Sequence, residues 1–372
     1  MIAIANRHNH ALPAALVVGA LMFVPARTSH GDTETPRVKL GRWAGKLEAG
    51  PGMNAVGRHL RGSQFVGQDL RGAVFDGCDL YGVRFYQSDL SGASFQGAHM
   101  TGMILGDCKL DGADFTDAII NGITSSGSQP DLPLSARQFM STRSYKRKDL
   151  SNCVIWGFDG GKHAKRKYDF RGANLHQVTI VGGDFTESDF TNADIPQIRL
   201  EQCAITFAQL ASTRTFQERL ASGMVISSIR VEGKADFSRF WLMGSELTGT
   251  FEEVDFTGAN IARARLGRIM TTDRLRSTWN YRRGDLTGIA FMGADLSGCD
   301  FSRQNLTDCT FRGCNLTGAP FNDAVITNAK FSPHAPNTGL TAEQIKSTWN
   351  YKHGRMGGIQ LPDAIANALQ ED

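Results

Sequence analysis

Leu286-Thr287-Gly288-Ile289-Ala290-Phe291-Met292-Gly293-Ala294-Asp295-Leu296-Ser297-Gly298-Cys299-Asp300-Phe301 sets a large apolar residue at every fifth position. The beat continues through Leu306, Phe311, Leu316, Phe321, Ile326 and Phe331. An amphipathic helix moves its apolar stripe by threes and fours, and a half-buried strand alternates by twos. A period of five is neither. Outward from this stretch, the same beat runs unbroken from Leu60 to Ile120, returns at Leu150 and Ile155, and resumes from Phe170 to Ile205. It recurs at Phe237, Leu242 and Leu247, slips by one residue at Phe251, and recovers through Phe256, Ile261 and Leu266.

Two residues before each centre the side chain is usually small, as at Ala73, Ala93, Ala294 and Ala324. Two residues after it glycine dominates, as at Gly62, Gly72, Gly82 and Gly92. A tight turn every five residues explains both, because glycine relieves the backbone at a corner and a small side chain fits a narrow interior. Asp or Asn often precedes the centre and Ser or Thr often follows it, which suits turns. The composition follows from this. There are 41 glycines in 372 residues, above the roughly 7% that is usual, and sixteen of the 22 phenylalanines are centres. A net charge of +3 with 21% charged residues excludes a disordered polyelectrolyte. The absence of a G-x-y period excludes collagen.

Units such as Ala113-Asp114-Phe115, Ala173-Asn174-Leu175, Ala259-Asn260-Ile261 and Ala294-Asp295-Leu296 make the chain resemble the pentapeptide-repeat family, whose unit is A-(D/N)-L-x-x. The resemblance covers most of residues 57–361. It implies an all-β solenoid: a right-handed quadrilateral parallel β-helix, four units to a coil, with centre and small residue both pointing inward. Coils of about twenty residues would then stack about 4.8 Å apart, the spacing of neighbouring strands, each depending on the next. All seven cysteines (Cys78, Cys108, Cys153, Cys203, Cys299, Cys309 and Cys314) fall in the small inward slot. They are expected as buried free thiols, not a disulfide framework.

The interruptions also repeat. Ser141-Thr142-Arg143-Ser144-Tyr145-Lys146 matches Ser212-Thr213-Arg214-Thr215-Phe216-Gln217, Ser277-Thr278-Trp279-Asn280-Tyr281-Arg282 and Ser347-Thr348-Trp349-Asn350-Tyr351-Lys352. A spacing of roughly 70 residues makes a four-block array. Ser135 with Gln138, Thr206 with Gln209 and Thr341 with Gln344 fit a capping box, and Thr271 with Arg274 fits its first half. A short helix is expected at each insert, covering the solenoid with Trp, Tyr and Ile packed inward. Leu266 to Leu286 is twenty residues, so that insert would replace one coil without shifting phase. The blocks read as 57–145, 146–216, 217–281 and 282–361, each a tract plus a helical insert. An N-terminal linker or cap at 27–56 precedes them and a tail at 362–372 follows.

The segment from Met1 to Ala26 contains no acid. Arg7, His8 and His10 precede an apolar run from Leu12 to Val24, and Val24-Pro25-Ala26 offers a cleavage site. This pattern predicts a signal peptide at 1–26 and an exported protein, periplasmic or extracellular, since the run is too short to span a bilayer. No transmembrane segment is expected after cleavage.

The sequence contains no phosphate-binding GK[ST] loop, HExxH or GxSxG. No catalytic residue, cofactor or metal site is predicted, and the surface-facing histidines, His59 and His99 among them, are read as bystanders. One region departs from the pattern. Lys162, Lys165, Arg166 and Lys167 lie in an insert after Ile155, and Arg143, Lys146, Arg147 and Lys148 lie just upstream. If the two segments meet, these eight form an anion-binding patch. The expected function is an exported, non-enzymatic structural or interaction scaffold whose partner is a protein or an anionic polymer, with self-association left open. A DNA-mimicking topoisomerase modulator, known among members of the family, requires a strongly negative surface, and the charge balance argues against it and against nucleic acid as partner. A β-helical carbohydrate-binding or carbohydrate-active protein is the other alternative.

Overall fold

The computed structural model describes residues 37–42, 44–125, 134–156, 158–159, 162–163, 167–331 and 339–370. The predicted signal segment, the first part of the N-terminal linker, and Lys165 and Arg166 lie outside them. The chain forms a right-handed, four-sided parallel β-helix with short helical inserts. The corners that do not follow the long ladder of strands are turns closed from the residue three past the centre back to the centre, as Ser63 N–H to the Leu60 carbonyl (3.0 Å) and Ala73 to Leu70 (3.0 Å). The residue two past the centre has positive φ, +66° at Gly62 and +66° at Gly72. That is the conformation a type II turn requires at its third residue, hence the glycines. Successive coils bond in parallel, as Leu60 N–H to the Asp79 carbonyl and Leu80 N–H to the His99 carbonyl (both 2.8 Å).

One side carries the longest ladder. Gln64–Val66, Arg84–Tyr86, Ile104–Gly106 and Thr124–Ser125 pair in order. The row resumes with Val154–Trp156 and runs through the strands centred on Ile180, Leu200, Ile226, Leu247, Leu266, Phe291, Phe311 and Phe331. Every centre named from the sequence is buried, including Phe251 at the slip. Rings one coil apart stack at nearly the strand spacing: Phe65 on Phe85 at 5.0 Å, Phe75 on Phe95 at 5.0 Å and Phe311 on Phe331 at 5.1 Å. All seven cysteines are free, and all but the half-buried Cys108 are buried. In the inward slot a thiol or hydroxyl donates to a centre carbonyl one coil below: Cys309 to Leu286 (2.9 Å), Ser245 to Ala221 (2.7 Å). Burial pushes the Cys153 and Cys309 thiols up to about 12, so they behave as small core residues.

Among the described residues, four helix pairs interrupt the coils: α1 Ala136–Ser141 and α2 Arg143–Lys146, α3 Phe207–Ala211 and α4 Arg214–Gln217, α5 Thr272–Ser277 and α6 Trp279–Arg282, α7 Ala342–Lys346 and α8 Trp349–Lys352. The three expected capping boxes are present, and Thr271 caps α5 through the Arg274 amide alone. Two expectations are corrected. Leu266 pairs with Phe291, not Leu286, so the coil holding α5 and α6 is one repeat unit longer than a plain coil, and the insert does shift the phase. The inward packing is also only partial. Leu275 and Ile345 are buried, but Trp279 is 43% exposed.

Both ends of the rod are covered. Arg37–Lys39 pairs antiparallel with Gln64–Val66, closing the first edge. A Cβ on Gly41 would overlap the Arg61 carbonyl, so that close approach requires glycine. At the other end, where a tail was expected, α9 Asp363–Ala368 packs Ile365 against the core.

Candidate interaction surface

The aspartates that precede the centres are spent on turns. Asp255 accepts from the Thr257 hydroxyl (2.6 Å) and amide (2.8 Å), and Asp285 makes the same pair of bonds with Thr287 (2.6 and 3.1 Å). Asp69 accepts the Arg71 amide and pairs with its guanidinium (2.6 Å). The Arg71 side chain is the main reason its carboxyl falls to about 2, and the Thr257 side chain lowers Asp255. A carboxylate committed this way is ionised and held in place by its own turn, the opposite of a general acid poised near neutrality. His59 and His99 flank Asp79 from the coils on either side, at 3.5 and 4.0 Å, His59 exposed and His99 half-buried. Among the described residues no group of three His, Cys, Asp or Glu is arranged to hold a metal ion, and no helix is long and apolar enough to cross a membrane.

The helix pairs are docked by a shared set of bonds. The Gln138 side-chain amide donates to the Leu110 and Ala113 carbonyls, Gln209 to Phe185 and Ser188, and Gln344 to Leu316 and Ala319, all between 2.6 and 3.0 Å. The buried threonine between the helices donates to the last turn of the first and caps the second. Thr278 bonds the Leu275 carbonyl (2.7 Å) and the Tyr281 amide (3.3 Å), and Thr142, Thr213 and Thr348 repeat the geometry. Two residues on, a side-chain oxygen accepts the amide that the next coil's carbonyl would otherwise receive. Ser144 takes Ile120, Thr215 takes Ile195, Asn280 takes Ile261 and Asn350 takes Ile326, at 2.7–3.1 Å. Sequence reasoning found the first helix of each pair and missed this second half, although the repeated Ser/Thr/Asn at that position was its signal.

Because each pair begins on the side that follows the long ladder, all four lie on the same flank. Counting ladder rows (Ser125, Leu200, Leu266, Phe331), they recur every third coil, about 14 Å apart at the strand spacing. Their far ends share one corner.

The predicted patch is placed in part. Arg143, Lys146, Arg147 and Lys148 are on or just after α2. Lys146 pairs with Asp117 (2.9 Å) and Lys148 with Asp169 (3.1 Å). Arg143 is half-buried and Arg147 exposed. The returning chain does meet this segment, because the Asp169 amide donates to the Tyr145 hydroxyl (2.8 Å). Lys167, two residues before Asp169, is exposed. Lys162 lies on a short hairpin strand, Lys162–His163 against Phe158–Asp159. Arg171 and Lys148 together hold the Asp169 carboxyl well below the usual carboxylate range. Sequence reasoning missed the cations at the equivalent corners of the other inserts. Arg214, Arg239, Arg282, Arg283 and Arg303 are exposed, and among the described residues none forms an ion pair.

A family model described as pentapeptide repeats matches residues 59–97, 88–124, 169–204, 285–323 and 294–332, in eight copies. Among curated proteins, none matches the sequence. Among solved structures, HetL, a pentapeptide-repeat protein involved in heterocyst differentiation regulation from the cyanobacterium Nostoc sp. strain PCC 7120, is similar at 21% identity. The match covers 77% of this chain and 92% of that one, with a TM-score of 0.17. A trypsin-treated form of QnrB1, a plasmid-mediated fluoroquinolone resistance protein, matches at 14% identity over 83% of this chain and 94% of that one, with a TM-score of 0.16. Residues 205–284, which the family model leaves unmatched, continue the same coils across the slip at Phe251. From the repeat, the coils and the matching model, the coils of residues 59–124, 169–204 and 285–332 are built of pentapeptide repeats.

Proposed function

We propose that this protein is an exported, non-enzymatic scaffold, a stiff rod that holds a partner along the corner where its four helix pairs end. One observation carries the reading. Exposed Arg239, Arg283 and Arg303 gather along this one corner with no carboxylate in ion-pair contact among the described residues, while carboxylates such as Asp255, Asp285 and Asp300 are engaged in their own turns. Arg263 and Arg312 also lack an ion pair but stand apart, whereas charged groups gathered along one corner without an ion-pair partner are available together to another molecule. A nucleic-acid mimic needs a continuous negative face, and a cationic corner is the reverse. Export rests on the acid-free, largely apolar segment from Met1 to Ala26.

A photo-crosslinking residue placed at Arg303, on this corner, should capture a partner in intact cells. The same residue at Arg312, on the diagonally opposite corner, should capture none. Equal capture at both sites, or at neither, removes the scaffold reading. N-terminal sequencing of the mature chain tests export: a start near Arg27 is expected, and an intact Met1 in the cytoplasm overturns it.

A further inference from the structure

The corner is not uniformly basic; its charge has the three-coil period of the inserts. Where the coil resumes after α4 and α6 the corner carries Arg219 and, one residue before Gly284, Arg283, and one coil further Arg239 and Arg303; after α2 it carries Lys148 and, one coil further, Arg171 beside Gly172, both paired with Asp169. One coil before each helix pair the same corner carries Asp117, Asn192, Gly258 and Asp323. Cationic clusters therefore alternate with neutral or acidic coils, about 14 Å apart. That separation exceeds the Debye length of about 8 Å at physiological ionic strength, so each cluster acts alone on a small anion. Only a long ligand gains from several.

Between the second and third helix pairs the clusters are bordered by exposed aromatic and apolar surface. Trp241 is 52% exposed and bridges Leu220 on one coil and Asn260 on the next, with Leu220 itself 53% exposed. Trp279 follows one coil past Asn260, its amide on the Ala259 carbonyl, with the Arg283 guanidinium over its ring at 4.8 Å. Flat indole faces next to guanidinium groups suit a ligand that alternates apolar ring faces with negative charges. Duplex nucleic acid carries one charge per about 1.7 Å and would set most of its phosphates against the neutral and acidic coils. A polyuronate, with one carboxylate on each sugar ring, carries far fewer charges per length and presents a ring face between them.

We infer that the corner from Arg219 to Arg303 binds a linear acidic polysaccharide, the cationic clusters taking its carboxylates and Trp241 and Trp279 its sugar faces. This deepens the scaffold reading by naming the class of partner.

The test is calorimetric titration of the full chain with polygalacturonate and with its size-fractionated oligomers. Affinity should rise at least tenfold once the oligomer spans two clusters. It should fall at least tenfold in Arg239→Ser/Arg303→Ser and at least threefold in Trp241→Ala, with thermal unfolding unchanged. Arg312→Ser, on the opposite corner, should bind as the unaltered chain does. A length-independent affinity, equal binding of a neutral glucan or of single-stranded DNA, or equal loss in Arg312→Ser overturns the inference. If crosslinking at Arg303 captures a protein while polygalacturonate does not bind, the polysaccharide inference fails and the scaffold reading stands.

Discussion

The uninterrupted coils of residues 57–125 and the coils that carry helix pairs do the same job with different groups. In the first, neighbouring coils are joined by main-chain bonds such as Leu60 N–H to the Asp79 carbonyl, and the interior is a column of stacked rings. In the second, a side-chain oxygen of Asn280 or Asn350 stands where a carbonyl would be, and a threonine hydroxyl joins the two helices. A main-chain ladder tolerates almost any side chain facing solvent. A side-chain substitute fixes the residue. That is why the tracts vary freely outside their centres while the inserts keep Ser-Thr-x-(Ser/Thr/Asn) four times over.

The largest expected effect falls in the plain coils. Phe85 stacks on Phe65 at 5.0 Å and meets Phe75 and Phe95 edge-on. Phe85→Ala should cost about 3–5 kcal/mol, the usual range for a buried phenylalanine, read from chemical denaturation. A loss below about 1 kcal/mol would show that the column collapses around the gap and that the coils are softer than their packing indicates. Asn350→Leu in the fourth insert leaves the buried Ile326 amide without its acceptor at 2.7 Å. A buried unsatisfied donor costs about 1–3 kcal/mol. Asn350→Ser, which copies the hydroxyl that Ser144 supplies in the first insert, should recover part of it. If Leu and Ser behave alike, the side-chain bond is not what holds the insert coil.

A smaller effect of opposite sign separates the corners. Arg303 holds φ +61° at a position where most turns have glycine. Arg303→Gly relieves a left-handed conformation that costs roughly 1–2 kcal/mol in a residue with a Cβ, partly offset by the greater freedom of unfolded glycine. A net gain of up to about 1 kcal/mol is expected in thermal unfolding. A loss would mean that the Arg303 side chain contributes to folding and is not held for a partner.

The coils were legible in the sequence because a five-residue period has a single structural solution, and the centres it names from Leu60 to Phe331 are all buried. Ser135, Thr206, Thr271 and Thr341 were legible as caps because capping is local. What is set by stacking was not. Leu266 pairs with Phe291 through a phase shift that no local signal records. The exposure of Trp279 depends on where the corner places it, since an indole after a threonine cap fits a packing face equally well. The cationic corner was seen only at Arg143–Lys148, where the charges are adjacent in sequence. Arg239, Arg283 and Arg303 come together only once the coil length and the three-coil spacing are known.

Acid should separate the two kinds of coil most finely. The plain coils tie their corners with ionised aspartates. Asp69 falls to about 2, chiefly through the Arg71 side chain, and Asp255, Asp295 and Asp300 are lowered by the side chains of Thr257, Ser297 and Ser302. A carboxyl whose folded pKa lies below its unfolded value near 3.9 contributes stability that is fully present above that value. The contribution is lost as pH falls through the folded pKa. The insert contacts of Thr278, Gln344 and Asn350 contain no titrating group. Between pH 4 and pH 2, hydrogen exchange should therefore accelerate first at the corner amides of Arg71, Thr257 and Ser297, while the Ile261 and Ile326 amides, held by Asn280 and Asn350, keep their protection longer. Simultaneous loss at both would show that the insert coils draw their stability from the tracts they interrupt, and that the two regions fold as one unit.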